Sequence, residues 1–200
     1  MNGAIAFFNP LVNNNISGKI LFTQESSVLK VHIDLEGFEP NKDYAIHIHE
    51  FGDLSKGCQS LGPHFNPKQQ CHGSDMYVKH HHAGDLMNNI KSNHLGKVSL
   101  SFNTKVLSTN YNSSKCILGR SVVIHYYADD LGQKGIIKDG QLVSYQDLTL
   151  EELKQLSKER KYPISKSKQQ LVEKLNTESL ITGNAGGRMA CAIIGITTNS

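Results

Sequence analysis

Between residues 4 and 126, short apolar runs alternate with turn-forming clusters along this chain. The runs at 4–8, 17–23, 28–35, 44–49, 97–102 and 121–126 are rich in Val, Ile, Leu and aromatic residues. Several repeat with a period of two, as in Lys30-Val31-His32-Ile33-Asp34-Leu35. Successive side chains on a strand face opposite ways, so such a run buries one face and wets the other. Asn, Gly, Ser and Pro gather between the runs, as turns require. A last apolar run at 189–197 closes the chain. The pattern predicts an all-β fold, a sandwich or barrel of short strands.

Residues 147–175 break that rhythm. Thr149-Leu150-Glu151-Glu152 is a capping box, with Thr149 as N-cap and Glu152 reaching back to it. Leu150, Leu153 and Leu156 follow at helical spacing, and Lys158, Arg160 and Lys161 suit the negative end of a helix. Pro163 blocks continuation. Ser167 to Gln170 reads as a second box ahead of Leu171, Val172 and Leu175. The expectation is two short helices inside a β protein. So small a hairpin buries little area alone, so it either rests on the strands or moves.

Composition narrows the function classes. The 200 residues fit one domain carrying a small insert. A formal charge of +3 is too mild for nucleic-acid binding by the whole chain. The N-terminus has no basic region, and its apolar run stops at Asn9-Pro10, so no signal peptide is expected. Asn2 follows the first methionine, which rules out myristoylation. Nothing approaches a membrane-spanning length. A soluble, cytoplasmic protein is therefore expected, with no membrane partner. Cys58, Cys71, Cys116 and Cys191 form no C-x-x-C pair, which argues against a structural thiolate zinc site.

Ten histidines against no tryptophan is the oddity, and their clustering decides its meaning. His47-Ile48-His49 lies in a strand pattern, so both imidazoles face the same way. One lone histidine is usually a satisfied core residue, whereas two facing neighbours would repel if both were protonated. His64 follows in the proline-stiffened Gly62-Pro63-His64-Phe65-Asn66-Pro67, then His72, then His82-Ala83-Gly84-Asp85. Three His and one Asp match a closed zinc site. His125 ends the run 121–124 and is available to the His47/His49 pair, and histidines without a sulfur partner suit copper or zinc. A surface run that binds metal only adventitiously fits His80 and His81 better than His64 or His125.

These blocks, in this order, resemble the intracellular copper–zinc superoxide dismutases. The resemblance is carried by residues 47–53, Gly57-Cys58, residues 62–67, His72-Gly73, residues 82–86, 119–125, 128–132 and 183–191. It implies a Greek-key β-sandwich or barrel. It implies one copper per subunit on His47, His49, His64 and His125, and one zinc on His64, His72, His82 and Asp85, with His64 bridging the two. Asp129 would join His47 to His72 from behind, Arg188 would be the pocket arginine, and Cys58 and Cys191 would form a disulfide. The implied reaction is disproportionation of superoxide to dioxygen and hydrogen peroxide, with Arg188 and His64 as the catalytic side chains. A homodimer is implied, its surface including Gly52, Cys116, Leu118 and Ile196, and a copper chaperone is an implied partner.

Two departures stand out. The run His80-His81-His82 sits beside an extra residue, and His82 is chosen over His81 because His-x-x-Asp to Asp85 then fits. His32 falls outside the ligand set and is expected on a strand surface. The chain then divides into a barrel, 1–132 and 182–200, and an inserted loop, 133–181, carrying the hairpin at about 147–175. The insert is basic in its middle and looks like a SAP-type helix–extension–helix motif, which makes nucleic acid a weak candidate partner. A steering lid or a partner contact ranks above it. As an accessory, the hairpin is expected to be removable without loss of metal binding. The rival functions are an inactive dismutase-like copper chaperone or decoy, and a DNA-associated module that uses the insert. Retention of His47, His49, His64, His125 and Arg188 argues for the enzyme.

Overall fold

The computed structural model describes residues 3–74, 80–138 and 141–197. Three strands open it as a meander: β1 (Gly3–Phe8), β2 (Ser17–Glu25) and β3 (Val28–Glu36). The alternation read in β3 is realised, with Leu29, Val31, Ile33 and Leu35 buried and Lys30, Asp34 and Glu36 exposed. Then come β4 (Asp43–His49), β5 (Ser55–Cys58), β6 (Asn89–Lys91), β7 (Lys97–Thr104) and β8 (Ser121–His125). After a two-stranded hairpin, β9 (Gly135–Lys138) and β10 (Gln141–Ser144), two helices follow, α1 (Leu150–Glu159) and α2 (Lys168–Thr182). Strand β11 (Arg188–Thr197) ends the fold.

Eight strands form one antiparallel sheet in the order β6-β4-β8-β11-β1-β2-β3-β7. Chain order and sheet order part after β3, because the chain leaves β3 for β4 and later returns to lay β7 beside β3. The sheet curls into a nearly closed Greek-key barrel around one core, to which all eight of its strands contribute. The expected all-β fold with a small pair of helices is the fold observed.

Strand β4 departs from simple alternation. Tyr44, Ile46 and Ile48 enter the core, yet Ala45, His47 and His49 on the opposite face are buried as well. β8 repeats this: Val122 and Ile124 face inward, while Ser121, Val123 and His125 are covered on the outside. Loops lie over this outer face. Phe65 N donates to Ile48 O at 2.8 Å, and Gly84 N donates to Phe65 O at 2.8 Å. A β-carbon at Gly84 would collide with Ile48 O, so only glycine lets the loop lie this close to β4.

The helices have their own small core of Tyr145, Leu148, Leu153, Leu171, Val172 and Leu175. The capping box of α1 is complete: Thr149 Oγ1 accepts from Glu152 N at 3.3 Å, and Thr149 N donates to Glu152 Oε2 at 2.8 Å. The box expected for α2 is only half formed. Ser167 Oγ accepts from Gln170 N at 3.4 Å, but Gln170 Oε1 accepts instead from Ser165 Oγ at 2.5 Å. α2 also runs to Thr182, seven residues past the expected end of the hairpin at 175. The added turns lack an apolar repeat; Ser179 is buried by a polar partner, and Gly183 ends the helix in the left-handed region at φ 62°. The hairpin β9–β10 and the short strands β5 and β6 went unread because none has a sustained alternating run.

Candidate metal centre

The two strands with both faces buried bring three histidines together. His47 and His49 point outward from β4, and His125 from β8, whose residues Val123 and Ser121 pair with them. The loop carrying His64 is held against the end of β4 by a bridge between His49 and His64. One nitrogen from each of His47, His49, His64 and His125 lies within 4.8 Å of the others, and all four residues are buried.

Hydrogen bonds fix which nitrogen faces inward. His47 Nε2 donates to Asp129 Oδ2 at 2.7 Å, which leaves the lone pair on Nδ1. His49 Nδ1 donates to Gly62 O at 2.9 Å and His125 Nδ1 to Gly186 O at 3.1 Å, which leaves both lone pairs on Nε2. Those two Nε2 atoms face each other at 3.4 Å, where neither carries a proton to donate. His47 Nδ1 and His64 Nε2 are buried with no hydrogen-bond partner among the described residues. Leaving a buried acceptor unmet costs about 1–3 kcal/mol, so four converging lone pairs call for a cation.

A second cluster backs onto the first. The Nδ1 atoms of His64, His72 and His82 approach the single oxygen Asp85 Oδ1 at 3.0, 2.9 and 3.0 Å. Asp85 and His82 are positioned by a 3₁₀ turn, Ala83–Asp85, in which His82 N donates to Asp85 Oδ2 at 3.1 Å. All four residues are buried, and His64 belongs to both clusters.

Protonation follows from burial and from the two carboxylates. Burial lowers His47 to about 4 against the upward pull of Asp129, and lowers His64 and His125 to about 3. His49 falls in the same direction for the same cause. These rings are therefore neutral at physiological pH, with lone pairs available. His72 is also penalised by burial, but hydrogen bonds to Asp129 and Asp85, one on each ring nitrogen, outweigh it and raise it to about 10. Burial likewise works against the charged forms of Asp85 and Asp129, and the surrounding histidines overcome it, holding both below the usual carboxylate range.

Arg188 opens β11 directly across the ladder from His125. Half-buried, its guanidinium donates to the carbonyls of Cys58 and Gly62. Gly62 O thus serves both His49 and Arg188. Cys58 and Cys191 form a disulfide, Cα to Cα 5.8 Å, packed with Leu61 and Val123 beside the histidine face. Cys71 and Cys116 are not bridged.

Asp129 lies behind the clusters, with Oδ2 on His47 and Oδ1 on His72. The residues singled out from the sequence, His47, His49, His64, His72, His82, Asp85, His125, Asp129 and Arg188, thus stand in one neighbourhood. His81 stands beside Asp85 outside the four-residue cluster, its Nδ1 2.8 Å from His82 O and 3.7 Å from Asp85 Oδ2. His80 is exposed. His32 sits on β3 opposite Ser101, Nδ1 to Oγ 2.8 Å. Sequence reasoning missed Asn88, whose Nδ2 donates to Asp129 Oδ2 at 3.1 Å, and the carbonyls of Gly62 and Gly186. A backbone carbonyl carries no sequence signal, and a lone asparagine carries almost none.

Comparison with known proteins agrees with this geometry. The family model for copper/zinc superoxide dismutase matches residues 16–146. A superoxide dismutase [Cu-Zn] of Cryptococcus neoformans var. grubii is 35% identical over 185 residues, covering 92% of each chain. One from Paramecium bursaria Chlorella virus 1 is 34% identical, covering 90% of this chain and 73% of its own. Among solved structures, the clock protein EA4 superposes with a TM-score of 0.70 at 30% identity, covering 98% of this chain and 95% of its own. With two buried clusters meeting at one histidine and a family match over most of its length, this chain belongs to the copper/zinc superoxide dismutase family.

Proposed function

We propose that the protein is a superoxide dismutase, converting two superoxide anions and two protons into dioxygen and hydrogen peroxide. The observation that carries this reading is the sharing of His64 between two buried four-residue clusters. The donor sets fit the metals: four imidazoles suit copper, and three imidazoles with a carboxylate suit a closed zinc site. His47, His49, His64 and His125 would hold copper, and His64, His72, His82 and Asp85 would hold zinc. When bound, copper supplies a one-electron redox couple and zinc a fixed positive charge behind it.

The side chains do the rest. To be a ligand in both clusters His64 would give up both ring protons, which bound cations would favour. Its Nε2, buried with no hydrogen-bond partner among the described residues, would be the ring atom able to hold a proton on the copper side whenever it is not a ligand. Asp129 locks the rings of His47 and His72 in orientation, the usual task of a carboxylate behind metal ligands. Arg188 is a permanent cation, and its remaining N–H donors are open to a small anion. Its hold on Cys58 O and Gly62 O, the latter shared with His49, fixes it beside the copper cluster, across the ladder from His125.

The test is metal content by mass spectrometry together with superoxide scavenging. One copper and one zinc per chain with scavenging is expected. Full metal content without scavenging would favour the inactive chaperone or decoy. Arg188→Ala should retain both metals and lose roughly tenfold or more in rate, because steering of charged substrates is worth about 10–1000-fold.

A homodimer belongs to the same reading. Leu118 and Ile196 line one surface hollow, Gly52 packs against Gly119 and Ile193, and Phe51, Ile193 and Ile196 expose apolar area. Light scattering that finds a monomer at all concentrations would remove it. The reading also includes a cytoplasmic setting, copper delivery by a chaperone, and division into a barrel, 1–132 and 182–200, with 133–181 inserted. Separate apolar clusters support that division. Nucleic-acid binding through the insert ranks below this reading: two of its basic residues, Lys154 and Arg160, are paired with Glu151 and Glu159.

A further inference from the structure

Asp129 and Asp130 are adjacent, and each carboxylate gathers four donors. Asp129 takes His47 Nε2 and Asn88 Nδ2 on one oxygen, His72 Nε2 and Leu131 N on the other. Asp130 takes Ser179 Oγ at 2.9 Å and Gly132 N at 3.0 Å on Oδ1. On Oδ2 it takes Tyr145 Oη–H at 2.7 Å and Asn184 Nδ2 at 2.9 Å. An ionised carboxylate has about four lone-pair sites, so both are fully used. One aspartate serves the metal histidines and the other serves the helical segment.

Tyr145 is the member of this network that belongs to the second core. Its ring is buried among Leu148, Leu153 and Leu171. Its hydroxyl reaches out of that core to Asp130 and also accepts from Asn184 Nδ2 at 2.9 Å. The end of α2 closes the same joint. Asp130 N donates to Gly183 O at 2.8 Å, and His72 N donates to Leu180 O at 3.0 Å. A side chain at Gly183 would strike the Asp129 carboxylate and His72 Nε2. The helical segment therefore has no slack against the back of the metal cluster.

The geometry points to Tyr145 as a positioning residue for the metal centre: its phenol fixes Asp130, and through the shared backbone fixes Asp129 against His47 and His72. This rests on the metal-centre assignment above. It also changes the expected role of the hairpin, which is a support for the site rather than a removable accessory.

The experiment compares the wild-type holoprotein with Tyr145→Phe and with Tyr162→Phe. Tyr162 packs on the same core but has no bond to Asp130 among the described residues. Zinc release to a chromogenic chelator and the visible spectrum of cobalt placed in the zinc site are the readouts. Losing a partner behind a ligand typically weakens metal binding about 10–100-fold; Tyr145→Phe, one step further back, should speed zinc release roughly tenfold and shift the cobalt bands. Tyr162→Phe should do neither. Ser179→Ala, which removes another Asp130 donor, should act in the same direction as Tyr145→Phe and covers the case in which the latter folds poorly. Wild-type release and spectrum in both Asp130-network variants would overturn the coupling, as would an equal loss in Tyr162→Phe. A wild-type protein that binds neither zinc nor cobalt would instead sink the metal centre itself.

Discussion

In the barrel, residues of eight strands meet in one apolar core; in the helical segment, two helices and a hairpin meet in another. The two differ most in how they treat polar groups. The barrel carries its buried histidines on the outer face of β4 and β8, opposite the core. The helical segment meets the barrel through polar groups: Ser179 and the hydroxyl of Tyr145 converge on Asp130 together with Asn184, just beyond α2. Apolar burial is non-directional and can build each body separately. Hydrogen bonds have fixed geometry, so a joint made from them sets position. The metal cluster lies at that joint.

The sharpest way to break this contrast is His64→Ala, since His64 alone belongs to both clusters. Copper and zinc should both be lost on dialysis, an effect larger than the roughly 10–100-fold expected for a supporting partner. Retention of either metal at wild-type level would mean the clusters are independent. Next comes the Cys58–Cys191 disulfide, which ties the end of β5 to β11 across 133 residues of sequence. Replacing both cysteines by serine should cost roughly 2–5 kcal/mol in denaturant unfolding. A loss below about 1 kcal/mol would mean that the disulfide is not what restrains this part of the fold.

The pH dependence of the metal-free protein sharpens the comparison further. His47, His64 and His125 are held at about 4, 3 and 3 in the folded chain, against 6.5 ordinarily. Below pH 6.5 the unfolded chain takes up protons that the folded one refuses, so stability falls as the pH drops. His72 behaves oppositely. Raised to about 10, it contributes fully below pH 6.5, and that contribution is lost as the pH rises towards 10. Thermal melts of the metal-free protein should therefore peak near pH 6.5 and decline on both sides. A steady gain in melting temperature up to pH 9 would contradict the arrangement of His72 between two carboxylates. The smallest effect is expected from Thr149→Ala, which removes the N-cap of α1 and should cost about 1 kcal/mol locally. Zinc release should stay unchanged, because the cap bonds Thr149 to Glu152 and to no member of the Asp130 network. Faster release would extend the supporting joint to the whole segment.

Much of this was legible in the residues. β3 announces itself by strict alternation, and α1 by a capping box whose two hydrogen bonds are both present. The His47-Ile48-His49 pair fixes two imidazoles on one strand face because a strand repeats every two residues. The all-β class followed from the strand pattern, the Greek key and the disulfide partners from the family resemblance, and all are present in the structure. The end of α2 was misjudged because its last turns depend on Asp130 and not on an apolar stripe. The joint itself left almost no trace, since an aspartate, a tyrosine, a serine and an asparagine at 130, 145, 179 and 184 have no spacing that marks them as partners.

By itself the sequence determined the local elements and the list of metal-capable side chains, because periodicity and residue chemistry act over a few positions. Only the tertiary structure decided which ring nitrogen each histidine turns inward, which carbonyl holds Arg188, and how the helical segment seats against the site. Those choices are made by hydrogen bonds between residues that β-strand order and α2 bring together from distant parts of the chain, and no local rule encodes such meetings.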